Sequence, residues 1–208
     1  DAISARKLCE LARERGLTLA VGHIERHNPI VKFTKQALAS QEYGDLISLS
    51  GKRVGGDVSD RIKDVGVIFD LGIHEIDICR YLVGSEVKSV HTFGGTHGDK
   101  THMENYAIIS LMFENGSCAN IEINWLTPIK IRKLGLTCSK MFVELDYIKQ
   151  QLKISSAHAK KYDVSDMSYL PWEYDTRKIP LKKQEPLKCE LDDFLKAIID
   201  MRRPLVTG

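Results

Sequence analysis

Hydrophobic and polar positions recur along the chain with two different periods: helical spacing predominates up to about residue 83, and a period of two follows from residue 87. Residues 2–15 carry apolar side chains at helical spacing and are followed by Gly16, a typical helix stop. Residues 17–22 form a short apolar run, typical of a strand buried in a parallel sheet. The pattern predicts a helix and a strand from a β-α-β unit. Because one helix and one strand cannot bury their own apolar faces, we expect further sequence upstream.

A second unit is predicted from residue 28 onward. Asn28 and Pro29 are typical of a helix start, and helical spacing follows over residues 30–38. Residues 45–54 alternate as a strand, and a further apolar helix is predicted to run to about Val83. Period two then persists and predicts consecutive strands at 87–93, 106–113, 118–125, 131–138 and 141–145.

The predicted strands define the fold class. Strands joined by short turns indicate an open, mostly antiparallel sheet with one face on helices and the other free for another subunit. Residues 156–186 are polar, aromatic and interrupted by prolines, so we expect a long excursion outside the core. Apolar spacing over residues 191–198 predicts a late helix. The fold class expected is therefore α+β.

The most distinctive polar residues lie in the apolar segment DVGVIFDLGIHEID, residues 64–77. It sets Asp70 and His74 four residues apart, on one face of a helix. Because their neighbours are apolar, the two side chains must be hydrogen-bonded or face a cleft. Histidine titrates near neutral pH, so the pair suits removal of a proton from a hydroxyl. A hydrogen-bonded core histidine and a metal ligand are alternatives that the spacing leaves open.

Composition narrows the class of protein. The chain is 43% hydrophobic and 28% charged, with a formal net charge of +2 and no basic stripe, which argues against a nucleic-acid partner.

No apolar run reaches the length of a membrane span, and no signal peptide is visible, so we expect a cytoplasmic protein. Five scattered cysteines indicate reduced thiols, and His97 and His102 fit a solvated loop better than a metal site.

Two stretches, AVGHIERHNP at residues 20–29 and DVGVIFDLGIHEIDICRYL at residues 64–82, resemble the glucose–fructose oxidoreductase and inositol dehydrogenase family of NAD(P)-dependent sugar dehydrogenases. The resemblance implies that residues 1–27 are the last helix and strand of a truncated dinucleotide-binding (Rossmann) domain. Residues 28–208 are then most of a substrate and oligomerisation domain, incomplete at its end.

The resemblance also implies roles for individual residues. The family's aspartate and histidine fall on Asp70 and His74, so His74 takes the hydroxyl proton as hydride leaves for the nicotinamide, and Asp70 orients the sugar. The first stretch matches a segment beside the nicotinamide and the reacting sugar. It implies cofactor contacts for His23 and Arg26 and a substrate contact for Asn28, although capping of the next helix explains Asn28 equally well.

Two parts of the family pattern are not found in this sequence. No G-x-G-x-x-G phosphate loop and no Glu-Lys-Pro occur in it. We therefore expect that NAD or NADP is bound only by a longer protein, and that the chain alone is inactive.

Local detail favours a nucleotide-sugar substrate. The stretches at residues 55–66 and 124–134 most resemble members that oxidise the 3-hydroxyl of UDP-N-acetylglucosamine-type sugars. This implies cations for a pyrophosphate and an aromatic face for the sugar. The residues concerned are Arg61, Lys63, Lys130, Arg132 and Trp125. A solvated loop and an ordinary strand with outward charges explain the same residues equally well.

The predicted function is oxidation of a ring hydroxyl of a sugar or nucleotide sugar by hydride transfer. A non-enzymatic sugar-binding or scaffold protein is the main alternative, and a metal-dependent hydrolase using His74 and Asp77 is a weaker one. The expected partners are a small sugar substrate and further copies of the chain, as a homodimer or homotetramer built through the open sheet. No metal, nucleic-acid or membrane partner is expected.

Overall fold

The stretches of period two come together in one sheet. The computed structural model describes residues 2–56, 65–98, 103–159 and 172–208. Within them the α-helices are α1 (Ala2–Glu14), α2 (Pro29–Ala39), α3 (Ile73–Val83) and α4 (Pro186–Ile199). The strands are β1 (Leu46–Val54), β2 (Val87–Gly95), β3 (Tyr106–Phe113), β4 (Cys118–Asn124), β5 (Ile131–Cys138), β6 (Phe142–Asp146), β7 (Gln151–Ala159) and β8 (Trp172–Ile179).

Strand β1 lies in the interior of this sheet, whose order is β2-β3-β4-β1-β5-β6-β7-β8. It pairs in parallel with β4 and antiparallel with β5. The other neighbouring strands pair antiparallel. The prediction of an open, mostly antiparallel sheet in an α+β fold is confirmed.

One face of the sheet is apolar because its strands alternate strictly. In β3, Ala107, Ile109 and Leu111 are buried, whereas the residues between them are exposed or half-buried. Helices α2 and α3 cover this face, and Ile30 and Ile78 are fully buried against it. The core is thus a layer between helices and sheet.

The helix predicted around Asp70 has two parts. Residues Ile68–Gly72 form a π-helical turn, and α3 continues from Ile73 to Val83, where Gly84 adopts a left-handed conformation with φ 69°. Gly72 packs so closely on the sheet that a Cβ there would lie 2.9 Å from Cδ1 of Ile123. π-helical turns recur at functional sites.

Two predictions about strands were wrong. Residues 17–22 form no strand. Among the described residues, they have no neighbouring strand to pair with, and Ala20 makes only an isolated antiparallel bridge with Thr207. In the predicted excursion 156–186, β7 and β8 form an antiparallel pair at one edge of the sheet. The solvent-exposed side chains of β8 show no clear apolar alternation, which explains why the pattern did not predict this strand.

Several further predictions concern termini, cysteines and loops. Helix α1 buries no side chain in the structure, and Ile3 and Leu8 are exposed. All five cysteines are free, as predicted. No helix among the described residues is long and apolar enough to cross a membrane. His102, Arg61 and Lys63 lie outside the described residues.

The turn after β1 gives a test of backbone geometry. Gly55 has φ +79°, and a Cβ there would lie 2.0 Å from the carbonyl oxygen of Ile129; Gly56 has φ +99° with nothing within 4 Å. We expect Gly55→Ala to lower the free energy of unfolding by about 3 kcal/mol, since strain and overlap add. Gly56→Ala should cost about 1 kcal/mol. Urea unfolding measures both, and equal losses would contradict this account.

Candidate active site

The predicted acid/base pair lies beside the carboxyl ends of the parallel strands β1 and β4. Asp70 belongs to the π-helical turn and His74 to the first turn of α3. Both side chains are half-buried, and Nδ1 of His74 is buried without a hydrogen-bond partner among the described residues. The predicted pair therefore lies at the margin of the core, partly open to solvent.

Asp70 is held by a residue far away in the sequence. Nε1 of Trp125 donates a hydrogen bond of 2.9 Å to Oδ2 of Asp70. Trp125 directly follows β4 and is 7% exposed, so its ring is largely buried. The structure thus brings the predicted aromatic substrate residue to the predicted catalytic carboxylate, where it fixes one carboxylate oxygen.

His23 lies next to His74 on the segment that connects α1 to α2. The two imidazole rings are edge to face, with centroids 6.4 Å apart. Nε2 of His23 lies 3.6 Å from Oδ1 of Asp77 on α3. Burial lowers the pKa of His23, Asp77 opposes this shift, and Arg26 adds to it.

Arg26 links the segment that carries His23 to α3. Its Nε and Nη2 donate to the two carboxylate oxygens of Asp77 at 2.8 and 2.6 Å. Its guanidinium carbon also lies 4.8 Å from the ring centre of Tyr81. This bidentate pair holds His23 in place, while the predicted contact of Arg26 with a cofactor stays a prediction.

Asn28 is the N-cap of α2, as its alternative interpretation proposed. Its side chain accepts from the backbone N–H of Ile30 and donates to Glu25 and to the backbone carbonyl of Tyr147. It is 1% exposed, so the geometry offers no support for a direct contact with substrate.

The predicted cations near β5 have different environments. Lys130 is exposed in the loop before β5. Arg132 is buried and donates to the backbone carbonyls of Val54 and Gly55. Burial and the neighbouring Arg53 lower the pKa of Arg132 to about 10. The hydrogen bonds of Arg132 therefore link β5 to the turn after β1. Of the two cations, only Lys130 is exposed to solvent.

Sequence reasoning missed a charged cluster beneath His74. Arg53 on β1 donates from Nε to Glu75 at 2.7 Å and from Nη2 to Glu25 at 2.6 Å. Glu75 is fully buried, and the hydroxyl of Tyr147 lies 3.5 Å from its Oε2. The available signal was the inward position of Arg53 on an alternating strand, where an apolar residue is expected.

These charges set the protonation of His74. Burial lowers its pKa, and the positive charge of Arg53 lowers it further. Glu25 opposes this lowering of the pKa, His23 adds to it, and Asp70 opposes it. The imidazole is therefore neutral at neutral pH, the form that accepts a proton.

A metal site is not evident in this cluster. The described residues contain no group of three or more histidine, cysteine, aspartate or glutamate side chains placed to hold a metal ion. Asp77, considered as a ligand with His74, is instead paired with Arg26. What the arrangement offers is a neutral imidazole beside an oriented carboxylate.

Comparison with known proteins agrees with this fold. Residues 31–143, more than half of the chain, match the model of the GFO/IDH/MocA C-terminal domain. The chain belongs to this family.

Two curated relatives match nearly the whole chain. The chain is 29% identical to UDP-N-acetylglucosamine 3-dehydrogenase of Acidithiobacillus ferrooxidans, over 100% of its own length and 62% of the relative. It is 28% identical to scyllo-inositol 2-dehydrogenase (NAD(+)) of Bacillus subtilis, over 95% of its own length and 57% of the relative. It thus spans about six tenths of the length of these relatives.

A solved structure shares the same architecture. The structure of the A. ferrooxidans UDP-N-acetylglucosamine 3-dehydrogenase superposes with a TM-score of 0.81 at 25% identity, covering 100% of this chain and 61% of that one.

The Trp125–Asp70 hydrogen bond can be measured by a double-mutant cycle. A hydrogen bond to a charged group contributes about 1.5–3 kcal/mol, less where solvent reaches it. We expect Trp125→Phe and Asp70→Ala, each of which removes one partner of the bond, to be coupled by about 1 kcal/mol in urea unfolding of the two single variants and the double variant. Additive effects would show that the bond does not hold Asp70.

Proposed function

We propose that this chain is the substrate-binding and catalytic part of an NAD(P)-dependent dehydrogenase that oxidises a ring hydroxyl of a sugar or nucleotide sugar. The observation that carries the proposal is the half-buried, neutral His74, whose Nδ1 has no partner among the described residues and which lies beside the oriented carboxylate of Asp70. The shared family and the names of the two dehydrogenase relatives support the reaction class.

The proposed roles follow from protonation and geometry. His74 accepts the proton of the reacting hydroxyl, because burial and Arg53 keep its pKa low and the imidazole neutral. Asp70 offers its remaining acceptor capacity to sugar hydroxyls, while Trp125 fixes Oδ2. Lys130 is the exposed cation available to a pyrophosphate on this side.

The residues present fit the substrate side of a nicotinamide cofactor and not its phosphates. His23 lies against His74 with its Nδ1 buried and unpartnered among the described residues, so this region has unused hydrogen-bonding capacity. The sequence contains no glycine-rich phosphate loop. NAD or NADP, when bound, supplies the acceptor for the hydride that leaves the hydroxyl-bearing carbon.

We further propose that residues 1–27 belong to a separate dinucleotide-binding domain and that residues 28–208 form the substrate and oligomerisation domain. The exposed apolar residues of α1 support this, since that helix buries no side chain in the structure. The length of the relatives also supports it. We therefore expect no turnover by the 208-residue chain alone.

Activity tests the proposal in the longest open reading frame that contains this sequence. We expect reduction of NAD or NADP with UDP-N-acetylglucosamine or scyllo-inositol as substrate. His74→Ala should lower kcat by about 100- to 10,000-fold, because a general base is lost. Asp70→Asn should lower kcat/KM, and His91→Ala, an exposed histidine on β2, serves as the matched control.

Two results would overturn the proposal. One is an unchanged rate in both His74→Ala and Asp70→Asn. The other is sugar binding, measured by calorimetry, without any reduction of either cofactor, which would favour the sugar-binding or scaffold alternative.

We also propose that the chain associates with copies of itself through the open face of the sheet. Ile108 and Met112 on β3 and Phe142 on β6 point away from the helices and are 50%, 43% and 43% exposed. Between them lies the Lys52–Glu122 ion pair, whose opposite charges suit a two-fold contact.

Association is measured by light scattering. A monomer has a mass of 23.5 kDa, and we expect twice this value or more. Ile108→Lys should shift the mass toward the monomer, because a charge on an apolar interface is costly. Met201→Lys, at a 93% exposed residue after α4, is the control. A monomeric wild type would contradict the interface.

A further inference from the structure

Arg53 is a buried cation that joins the two segments carrying the site histidines. Its side chain is 8% exposed and donates to Glu75 and Glu25 at 2.7 and 2.6 Å. Glu75 directly follows His74 on α3, and Glu25 lies two residues after His23. Movement of Arg53 would therefore displace both imidazoles.

The charge of Arg53 is permanent in this environment. Burial alone would lower its pKa, but the carboxylates of Glu75 and Glu25 raise it above the ordinary value. The guanidinium carbon also lies 5.7 Å from the ring centre of Tyr147, which limits access of water. A fixed charge with little water around it acts more strongly on its neighbours than an exposed one.

We propose that Arg53 is a positioning residue for His74: held between Glu25 and Glu75, it fixes the connecting segment against α3 and places a permanent positive charge that keeps the His74 imidazole neutral. This inference rests on the proposed function, because it concerns the residue assigned as the base. Arg53 itself contacts carboxylates, and its effect on the reaction passes through His74.

The groups that face His74 act with different signs. Arg53 on β1 and His23 on the connecting segment disfavour the imidazolium, whereas Glu25 on that segment and Asp70 on the π-helical turn favour it. Arg53 makes the largest contribution among these charges, after the effect of burial. Because Arg53 and Glu25 form one ion pair but act oppositely on His74, their removal distinguishes charge from structure.

The test is an NMR pH titration of the imidazole resonances in the 208-residue chain, with the His74 signals assigned by their loss in His74→Gln. Arg53→Gln should move the His74 midpoint to higher pH, and Glu25→Gln should move it to lower pH. Arg53→Lys keeps the charge and should leave the midpoint near that of the wild type, while lowering the urea midpoint of unfolding.

Lys52→Gln is the matched control for charge. Lys52 neighbours Arg53 in sequence but pairs with Glu122 on the other face of the sheet, so the His74 midpoint should stay close to that of the wild type. If Arg53→Gln does not fold, the other two variants still decide, because Glu25→Gln should move the midpoint to lower pH and Arg53→Lys should leave it near that of the wild type. A His74 midpoint that is unchanged, or that moves in one direction in all variants, overturns the inference.

A second readout connects the charge to the reaction. In the active full-length protein, the acid limb of kcat/KM against pH should move with the NMR midpoint in Arg53→Gln. If the midpoint moves while His74→Ala remains fully active, the proposed function fails and the electrostatic role of Arg53 stands. If His74→Ala is inactive and the midpoint does not respond to Arg53, only the role of Arg53 fails.

Discussion

The parallel pairing of β1 with β4 is the constraint on which the rest of the fold depends. Two parallel strands cannot be joined by a tight turn, so the chain must leave the end of β1, cross a face of the sheet and return. The crossing segment contains α3, which places its buried side on the sheet and its first turn beside the carboxyl ends of both strands. His74 lies in that turn, and Trp125 follows β4 at the same end.

The cost of this arrangement is a set of charges inside the domain. Arg53 on β1 and Arg132 on β5 lie directly opposite each other in the register of the two strands, and both are 7% exposed. Unpaired, each would carry a desolvation penalty of several kcal/mol. Two carboxylates offset the first charge, and three backbone carbonyls accept hydrogen bonds from the second. Removing one member of such a network leaves its partners buried and unpaired. The loss of stability is therefore larger than the contribution of the single hydrogen bond that is removed.

The sequence allowed the elements with strict periods to be predicted, and these set the architecture. The bounds of β3 and β5 were found to the residue, since their alternation reflects one buried face. Strand β8 was missed because its exposed side chains have no clear alternation, and the π-helical turn was missed because apolar spacing does not distinguish it from an α-helix. Asp70 and His74 stood out as polar residues in an apolar helix. The cluster around Arg53 did not, since its members are 22 and 28 residues apart and meet only once the sheet is formed.

The π-helical turn at Ile68–Gly72 has a consequence for how this protein can change over evolution. A π-helical turn accommodates one residue more than an α-helical turn of the same pitch, and each residue of an α-helix turns the chain by about 100°. Deleting one residue there would restore a regular helix and swing Asp70 away from Trp125, while α3 stayed in place on the sheet. Substitutions are tolerated at such a point more readily than changes of length. The number of residues between Asp70 and His74 therefore fixes their relative position. Relatives that share the chemistry are expected to keep this number even where the residues between them differ.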